Sequence, residues 1–242
     1  MSSQYIRKII LKEFDDDTYI SSLPIINHLR NLKELTFECA VTFFVGENGT
    51  GKSTLTEAIA ICAGLNAEGG SKNFNFSTRQ TASDLYKYIK LVRKNKEKDG
   101  FFLRAETFYN IASEIDDLGL QLDIYGGKSL HAQSHGESFM TLVQNRFLGN
   151  GLYILDEPEA ALSPLRQYAL LREIYRLVET NSQLIIATHS PIILGFPNSK
   201  IYQITVDGIK VVEYKDSQHY LFTKQFLNDP ERYLRYLMEE DT

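Results

Sequence analysis

The residues Gly46-Glu47-Asn48-Gly49-Thr50-Gly51-Lys52-Ser53-Thr54 satisfy the spacing G-x-x-x-x-G-K-[ST] in full. Each residue type answers a demand that a polyphosphate would make. Gly46, Gly49 and Gly51 let the backbone curl until successive N–H groups point inward at anionic oxygens. Lys52 brings a compact positive charge for the β- and γ-phosphates, and the Ser53 hydroxyl is of the type that ligates Mg2+. The flanks give the pattern its force. Val41-Thr42-Phe43-Phe44-Val45 is a short, apolar, β-rich run, and residues 55–62 carry alanine and isoleucine and read as a helix. Strand, loop and helix in that order aim the positive end of the helix at the same anion.

Two acids follow a second apolar run, Leu152-Tyr153-Ile154-Leu155-Asp156-Glu157. In open α/β sheets ligands sit at the C-terminal ends of strands. Adjacent acids there can divide the work. Asp156 would hold Mg2+ directly or through water, and Glu157 would orient and deprotonate the water that attacks the γ-phosphate. His189 closes the next buried run, residues 183–188, where an imidazole can hydrogen-bond the γ-phosphate and register its loss. Ser134-x-x-Glu137 is a capping-box pattern opening a helix that runs to about Phe147. With Gly136 in its first turn, that helix end is also an anion site. One phosphate loop is already present, so this second site calls for a second explanation.

Strands are expected over residues 5–12, 35–38, 41–45, 101–104, 151–155 and 183–188, with a hairpin of 201–205 and 209–214 around Asp207-Gly208. The strand at 35–38 would pair with 41–45 or with the first strand. Helices are expected over 26–32, from the phosphate loop to Gly64, over 81–90 and over 108–118. Others are expected from Ser134, from Ser163-Pro164 to Glu179, and over 231–238. The 81–90 helix would be capped by Ser83 or Asp84 and would bury Leu85, Tyr86 and Ile89. Residues 66–77 read as a loop and Gly126-Gly127 as a joint. Buried strands alternating with helices predict an α/β fold with a mainly parallel sheet covered on both faces.

The 242 residues suffice for one such domain, with residues 66–147 as a lid subdomain between the phosphate loop and the Asp-Glu strand. A net charge of −5 gives no general argument for nucleic acid. The basic run at residues 93–98 has no interleaved aromatics and reads as a solvated turn. Cys39 and Cys62 lie in apolar surroundings and read as buried thiols in a reducing compartment. The first eleven residues, broken by Arg7 and Lys8, do not read as a signal peptide, and no apolar run approaches membrane length. A cytoplasmic protein is expected.

In this order the motifs resemble those of an ABC-type ATPase head, a P-loop NTPase. The phosphate loop is followed by a signature-like Gln133-Ser134-His135-Gly136-Glu137, by the Asp156-Glu157 strand 22 residues after Ser134, and by His189. Asp156-Glu157-Pro158-Glu159-Ala160 and Ala187-Thr188-His189-Ser190-Pro191 look like the RecF-like, structural-maintenance-of-chromosomes and OLD-type branch. Within it the chain is similar to the AAA_21-like group of small standalone ATPases. The resemblance implies Mg-dependent ATP binding and hydrolysis, with Lys52, Ser53, Asp156, Glu157 and His189 serving the nucleotide of their own chain. It implies that Ser134 and Gly136, with His135 and Glu137, meet the γ-phosphate held by a second copy. A two-fold pair would then close over two ATP molecules, with Ala160-Ala161-Leu162-Ser163 crossing between subunits. ATP would join the pair and hydrolysis would release it, for a partner protein or DNA to read.

Departures from the pattern are visible. His135 stands where the pattern has glycine. The Q-loop position has two candidates, Gln80 and Glu106, of which Glu106 fits the place better. Tyr19 is a candidate adenine-stacking aromatic. Residues 66–100 are too short, and lack the heptads, for a long coiled coil. Two other classes stay open: the ATP-binding subunit of a transporter, and a low-turnover ATP-gated regulatory module. The Asp-Glu-Pro-Glu run and the altered signature speak against the transporter.

Overall fold

A computed structural model describes residues 4–13, 21, 24–67, 69–71, 83–108 and 133–239. In chain order the elements are β1 (Ile6–Leu11), α1 (Pro24–Leu32), β2 (Glu34–Thr36), β3 (Val41–Gly46), α2 (Lys52–Ala63), α3 (Leu85–Tyr88), β4 (Ile89–Arg93) and β5 (Asp99–Arg104). They continue with α4 (His135–Arg146), β6 (Gly151–Asp156), α5 (Pro164–Glu179), β7 (Gln183–Ala187), β8 (Lys200–Thr205), β9 (Gly208–Val212), α6 (Gln218–Asn228) and α7 (Pro230–Glu239). The central sheet has the order β5-β6-β7-β3-β8-β9. Its first five strands are parallel, and β9 returns antiparallel through the Asp207-Gly208 turn. A smaller antiparallel sheet has the order β2-β1-β4.

The sequence dictates the parallel core. Every residue of β3, β6 and β7 is buried, as strands covered on both faces must be. Successive side chains point to opposite faces, so neighbours in sequence enter different cores. Phe43, Phe101, Tyr153 and Ile186 pack with Phe139 of α4 and Ile174 of α5. Phe44, Phe102, Ile154 and Ile185 pack with Ile59 of α2, Ile26 of α1 and Ile9 of the small sheet. Buried Gln183 fastens the two sheets together. Its carboxamide oxygen accepts the N–H groups of Tyr5 and Ile6, each at 2.8 Å, and its nitrogen donates to Ile6 O at 2.9 Å.

Some expectations need correction. The helix expected over residues 81–90 is one turn, α3, after which Ile89 begins strand β4. Ile89-Lys90-Leu91-Val92 is β-branched at both ends and finds an edge to pair with, Leu11 opposite Ile89 and Ile9 opposite Leu91. Tertiary pairing overrides helical periodicity there. Of the two partners expected for the strand near Leu35, it takes the first strand, β1. Helix α6 has no counterpart in the sequence reading. Cys39 and Cys62 are both half-buried thiols, less enclosed than expected, and desolvation raises the pKa of Cys62. The basic run links β4 to β5: Lys94 N–H donates to Tyr5 O at 3.0 Å, and Arg93 pairs with Glu97 at 3.2 Å. The expected 108–118 helix beyond Phe108, Gly126-Gly127, Gln80 and Tyr19 lie outside the described residues. Among those described, no helix is long and apolar enough to cross a membrane.

Candidate functional site

Strands β6, β7 and β3 are neighbours and parallel, so their C-terminal ends share one edge of the sheet. Asp156 sits opposite Ala187, and Ala187 opposite Phe44. That register brings the loop after β3, the acids after β6 and His189 after β7 to one place. Gly46 has φ 153°, and a Cβ there would lie 2.2 Å from the carbonyl oxygen of Ile204 on β8. Gly51 has φ 93°, and a Cβ would meet Ile25 at 2.8 Å. Both positions therefore exclude a side chain, on space as well as on backbone conformation. Thr50 tightens the loop by donating its hydroxyl to Glu47 O at 2.8 Å, while Glu47, Asn48 and Gly49 are exposed.

Gly51 is the cap of α2, and no side chain caps the helix. Its first-turn N–H groups, at Lys52, Ser53 and Thr54, therefore form the positive end expected to face an anion. Lys52 is 3% exposed. Its ammonium donates to Gly46 O at 2.8 Å and Glu47 O at 3.0 Å, so it lies folded over the loop. Burial lowers its pKa, and the surrounding carboxylates of Glu157, Asp156, Glu159 and Glu47 oppose that.

Asp156 is the most constrained acid. Burial pushes its carboxyl up to about 6 and Glu157 adds to the push, while Arg104 and the Ser53 hydroxyl act against it. Its Oδ1 is buried and has no hydrogen-bond partner. Its Oδ2 is 3.3 Å from Nε of Arg104. A partnerless buried carboxylate oxygen beside a serine hydroxyl is the hard oxygen donor set that suits Mg2+, and the residues present fit that ion.

Glu157 adopts the left-handed conformation, φ 50° and ψ 50°. For a residue with a Cβ this costs about 1–2 kcal/mol. Its N–H donates to Ala187 O at 2.9 Å, which holds the turn. Its Oε1 then lies 3.6 Å from Nε2 of His189. Glu159 supports the histidine from behind, accepting the His189 N–H and, at 2.7 Å, the Thr188 hydroxyl. The His189 ring makes a further contact: Nδ1 is 3.0 Å from Nε2 of His219 on α6.

The signature-like residues are arranged differently. The Glu137 carboxylate accepts the Ser134 hydroxyl at 2.7 Å and the Ser134 N–H at 3.1 Å. Arg166 of α5 donates to Ser134 Oγ at 3.1 Å and to Glu137 Oε1 at 2.9 Å. The two Ser134 donors, with Arg166, hold the Glu137 carboxyl below its ordinary range. Gly136 is buried, and a Cβ there would meet Arg166 at 2.7 Å and Ala161 O at 2.9 Å. His135 is exposed and meets Phe108 edge-on. The structure thus gathers Lys52, Ser53, Asp156, Glu157 and His189. It places Ser134, Gly136 and Glu137 against Arg166 of α5, with Gly136 also beside Ala161 O, and His135 against Phe108 of the same chain. Glu106 extends into solvent, 3.6 Å from Arg104.

Three residues of the site escaped the sequence. Arg104 joins Glu57 at 2.8 Å, Asp156 and Glu106. Its signal was available only as register, since Arg104 pairs with Asp156 across β5 and β6. Glu159 was adjacent to the acids and could have been proposed as a support for His189. His219 lies 30 residues beyond His189 and carries no local signal.

A family model, AAA_21, described as "AAA domain, putative AbiEii toxin, Type IV TA system", matches residues 132–195, from the signature-like helix to just past His189. No curated protein matches the chain. Among solved structures, cbiO1 from Clostridium perfringens, part of the ABC transporter complex cbiONQ, is 17% identical. That match covers 98% of this chain and 99% of the other, with a TM-score of 0.54. The SMC head domain from Thermotoga maritima is also 17% identical, covering 86% of this chain and 98% of the other at a TM-score of 0.45. The fold is assigned on the first of these. The chain has the fold of an ABC-type P-loop ATPase head.

Proposed function

We propose that the chain binds and hydrolyses MgATP, and that two copies close over two nucleotides as a switch read by a partner protein or DNA. The observation that carries this reading is the convergence of Lys52, Ser53, Asp156, Glu157 and His189 at one sheet edge, around an uncapped helix N-terminus. Gly46 through Thr54 would wrap the phosphates with backbone N–H groups, and Lys52 would neutralise their charge. Ser53 and Asp156 would hold Mg2+, which supplies charge neutralisation across the β- and γ-phosphates. Glu157, fixed by its left-handed backbone, would take the proton from the attacking water. His189 would hydrogen-bond the γ-phosphate through Nε2. Glu106 would serve as the Q-loop equivalent, and α4 would carry the signature to the second chain, while β4 and β5 of the expected 66–147 subdomain belong to the two sheets.

In the pair, Ser134, His135, Gly136 and Glu137 would complete the site of the partner copy. The test is the solution mass of Glu157→Gln protein by light scattering, with and without MgATP, beside the hydrolysis rate of wild type. A doubling of mass on adding MgATP supports the switch. Bound ATP with no change of mass overturns self-pairing and assigns the signature to a different chain. No binding of ATP overturns the whole reading.

A further inference from the structure

His189 is held at both ends of its environment. Glu159 fixes its backbone, and its ring meets His219, Nδ1 to Nε2, at 3.0 Å. The second ring is itself anchored. Gln203 of β8 accepts the Gln218 N–H at 2.9 Å, at the start of α6. The Tyr214 hydroxyl donates to Pro191 O at 2.9 Å and ties the approach to α6 onto the loop that carries His189. The two histidines are thus brought together by chain segments fastened on both sides of the contact.

A contact of 3.0 Å between two imidazole nitrogens needs one proton between them, and the placement of that proton sets the other nitrogens. Two arrangements of neutral rings are possible. If His219 donates, His189 carries its own proton on Nε2, facing the Glu157 carboxylate 3.6 Å away. The Nδ1 of His219, buried and partnerless, is then a bare lone pair. If His189 donates instead, His219 must carry its proton on Nδ1, a buried donor with no acceptor. His189 then turns a lone pair toward the carboxylate of Glu157. Nε2 of His189 and Nδ1 of His219 lack a hydrogen-bond partner in either arrangement, and the first avoids the opposed acceptors by turning an N–H toward the Glu157 carboxylate. The groups facing His219 are His189, Glu47 and Lys52. Its burial and the two cations or potential cations among them disfavour an imidazolium, with Glu47 opposing.

We propose that His219 is a positioning residue for the reaction at this site: by donating Nε2–H to Nδ1 of His189, it holds His189 in the tautomer that presents Nε2–H to the terminal phosphate. The inference rests on the proposed ATP site. It adds a source for the hydrogen-bond donor at that phosphate which requires no charge on the imidazole.

The test uses full-length protein with 15N-labelled histidine. Long-range proton–nitrogen spectra identify the tautomer of each ring, and His189→Gln assigns the His189 signals. Wild type is expected to show His189 protonated on Nε2 without nucleotide. His219→Phe should lose this preference, and His219→Gln, whose amide can still donate, should restore it. Turnover of MgATP should fall roughly 10-fold in His219→Phe with KM little changed, and recover in His219→Gln. Melting temperatures of both variants separate this from misfolding. His189 protonated on Nδ1 in wild type, or an unaltered tautomer in a folded His219→Phe, overturns the proposal. Wild type that turns over no ATP overturns it together with the function it rests on. Normal turnover in His219→Phe overturns this inference alone.

Discussion

Two helix N-termini of this chain stand where the sequence offers an anion site, and they are finished in opposite ways. The start of α2 has a left-handed glycine for a cap, no side chain closing it, and a buried lysine folded over the loop. The start of α4 is closed by its own Glu137 and overlaid by Arg166. An open helix end asks for an anion from outside. A closed one already has an anion, and a phosphate arriving there must compete with a carboxylate. The contrast supports the proposal that the chain completes one half of a nucleotide site by itself and lends the other half to a second molecule.

The largest expected effects lie in the open end. Glu157→Gln should cut turnover by roughly 10²–10⁴-fold, as for loss of a general base, with ATP binding retained. Lys52→Ala should weaken binding by about 100-fold through loss of a charge-assisted contact. Both are read by steady-state hydrolysis and equilibrium titration. Full turnover in Glu157→Gln would remove that residue from the base role.

The next comparison sets glycine against glycine. Gly46→Ala should destabilise the fold by ~2 kcal/mol or more, because the new methyl meets the fixed carbonyl of Ile204 at positive φ. Gly136→Ala meets the movable tip of Arg166 at 2.7 Å and the carbonyl of Ala161 at 2.9 Å, a milder clash than that at Gly46, and should lose about 1 kcal/mol. Urea denaturation of the two variants orders them, and the reverse order would mean that the closed end is the more rigid.

Smaller still is the effect of opening that closed end. In a Glu157→Gln background, Glu137→Gln should weaken ATP-dependent pairing by a few-fold, because it loosens the exposed contacts that set Ser134 and Arg166, and surface ion pairs are worth little. Tighter pairing in light scattering would make Glu137 a competitor of the phosphate and remove it from the partner's site. The smallest expected effect concerns pH. Burial, then His189, depress the pKa of His219 below its ordinary 6.5. The unfolded chain therefore binds more protons than the folded one just below pH 6.5, and stability falls as acid is added through that window. The urea midpoint of His219→Gln should fall less steeply there than that of wild type. Equal slopes would show that His219 is not a source of the acid sensitivity.

The open end was legible in the sequence because its parts are local. A glycine-rich loop after an apolar run, two acids after another and a histidine after a third each declare a strand end, and parallel strands must bring such ends together. The sheet itself was legible for the same reason, since Leu152–Leu155 and Leu184–Ala187 are too apolar for anything but a covered strand. Arg104 and His219 were not legible, because their roles arise from register and from chain closure over tens of residues. Strand β4 was missed because Leu85, Tyr86 and Ile89 keep helical spacing until an edge strand is offered to them. Helix α6 was missed because Leu221, Phe222 and Leu227, exposed on its surface, do not mark a buried stripe. The closed end was half legible. The capping box was visible, but its cover by Arg166 comes from a separate helix.

The adjacent phenylalanines of β3 and β5 have a consequence beyond packing. Phe43 and Phe101 face α4 and α5, whereas Phe44 and Phe102 face α2 and the small sheet. The sheet is therefore a partition, and side chains on its two sides repack without touching one another. A change of side-chain volume on the α4–α5 side is therefore insulated from the packing beneath α2, so the two layers can vary in sequence independently.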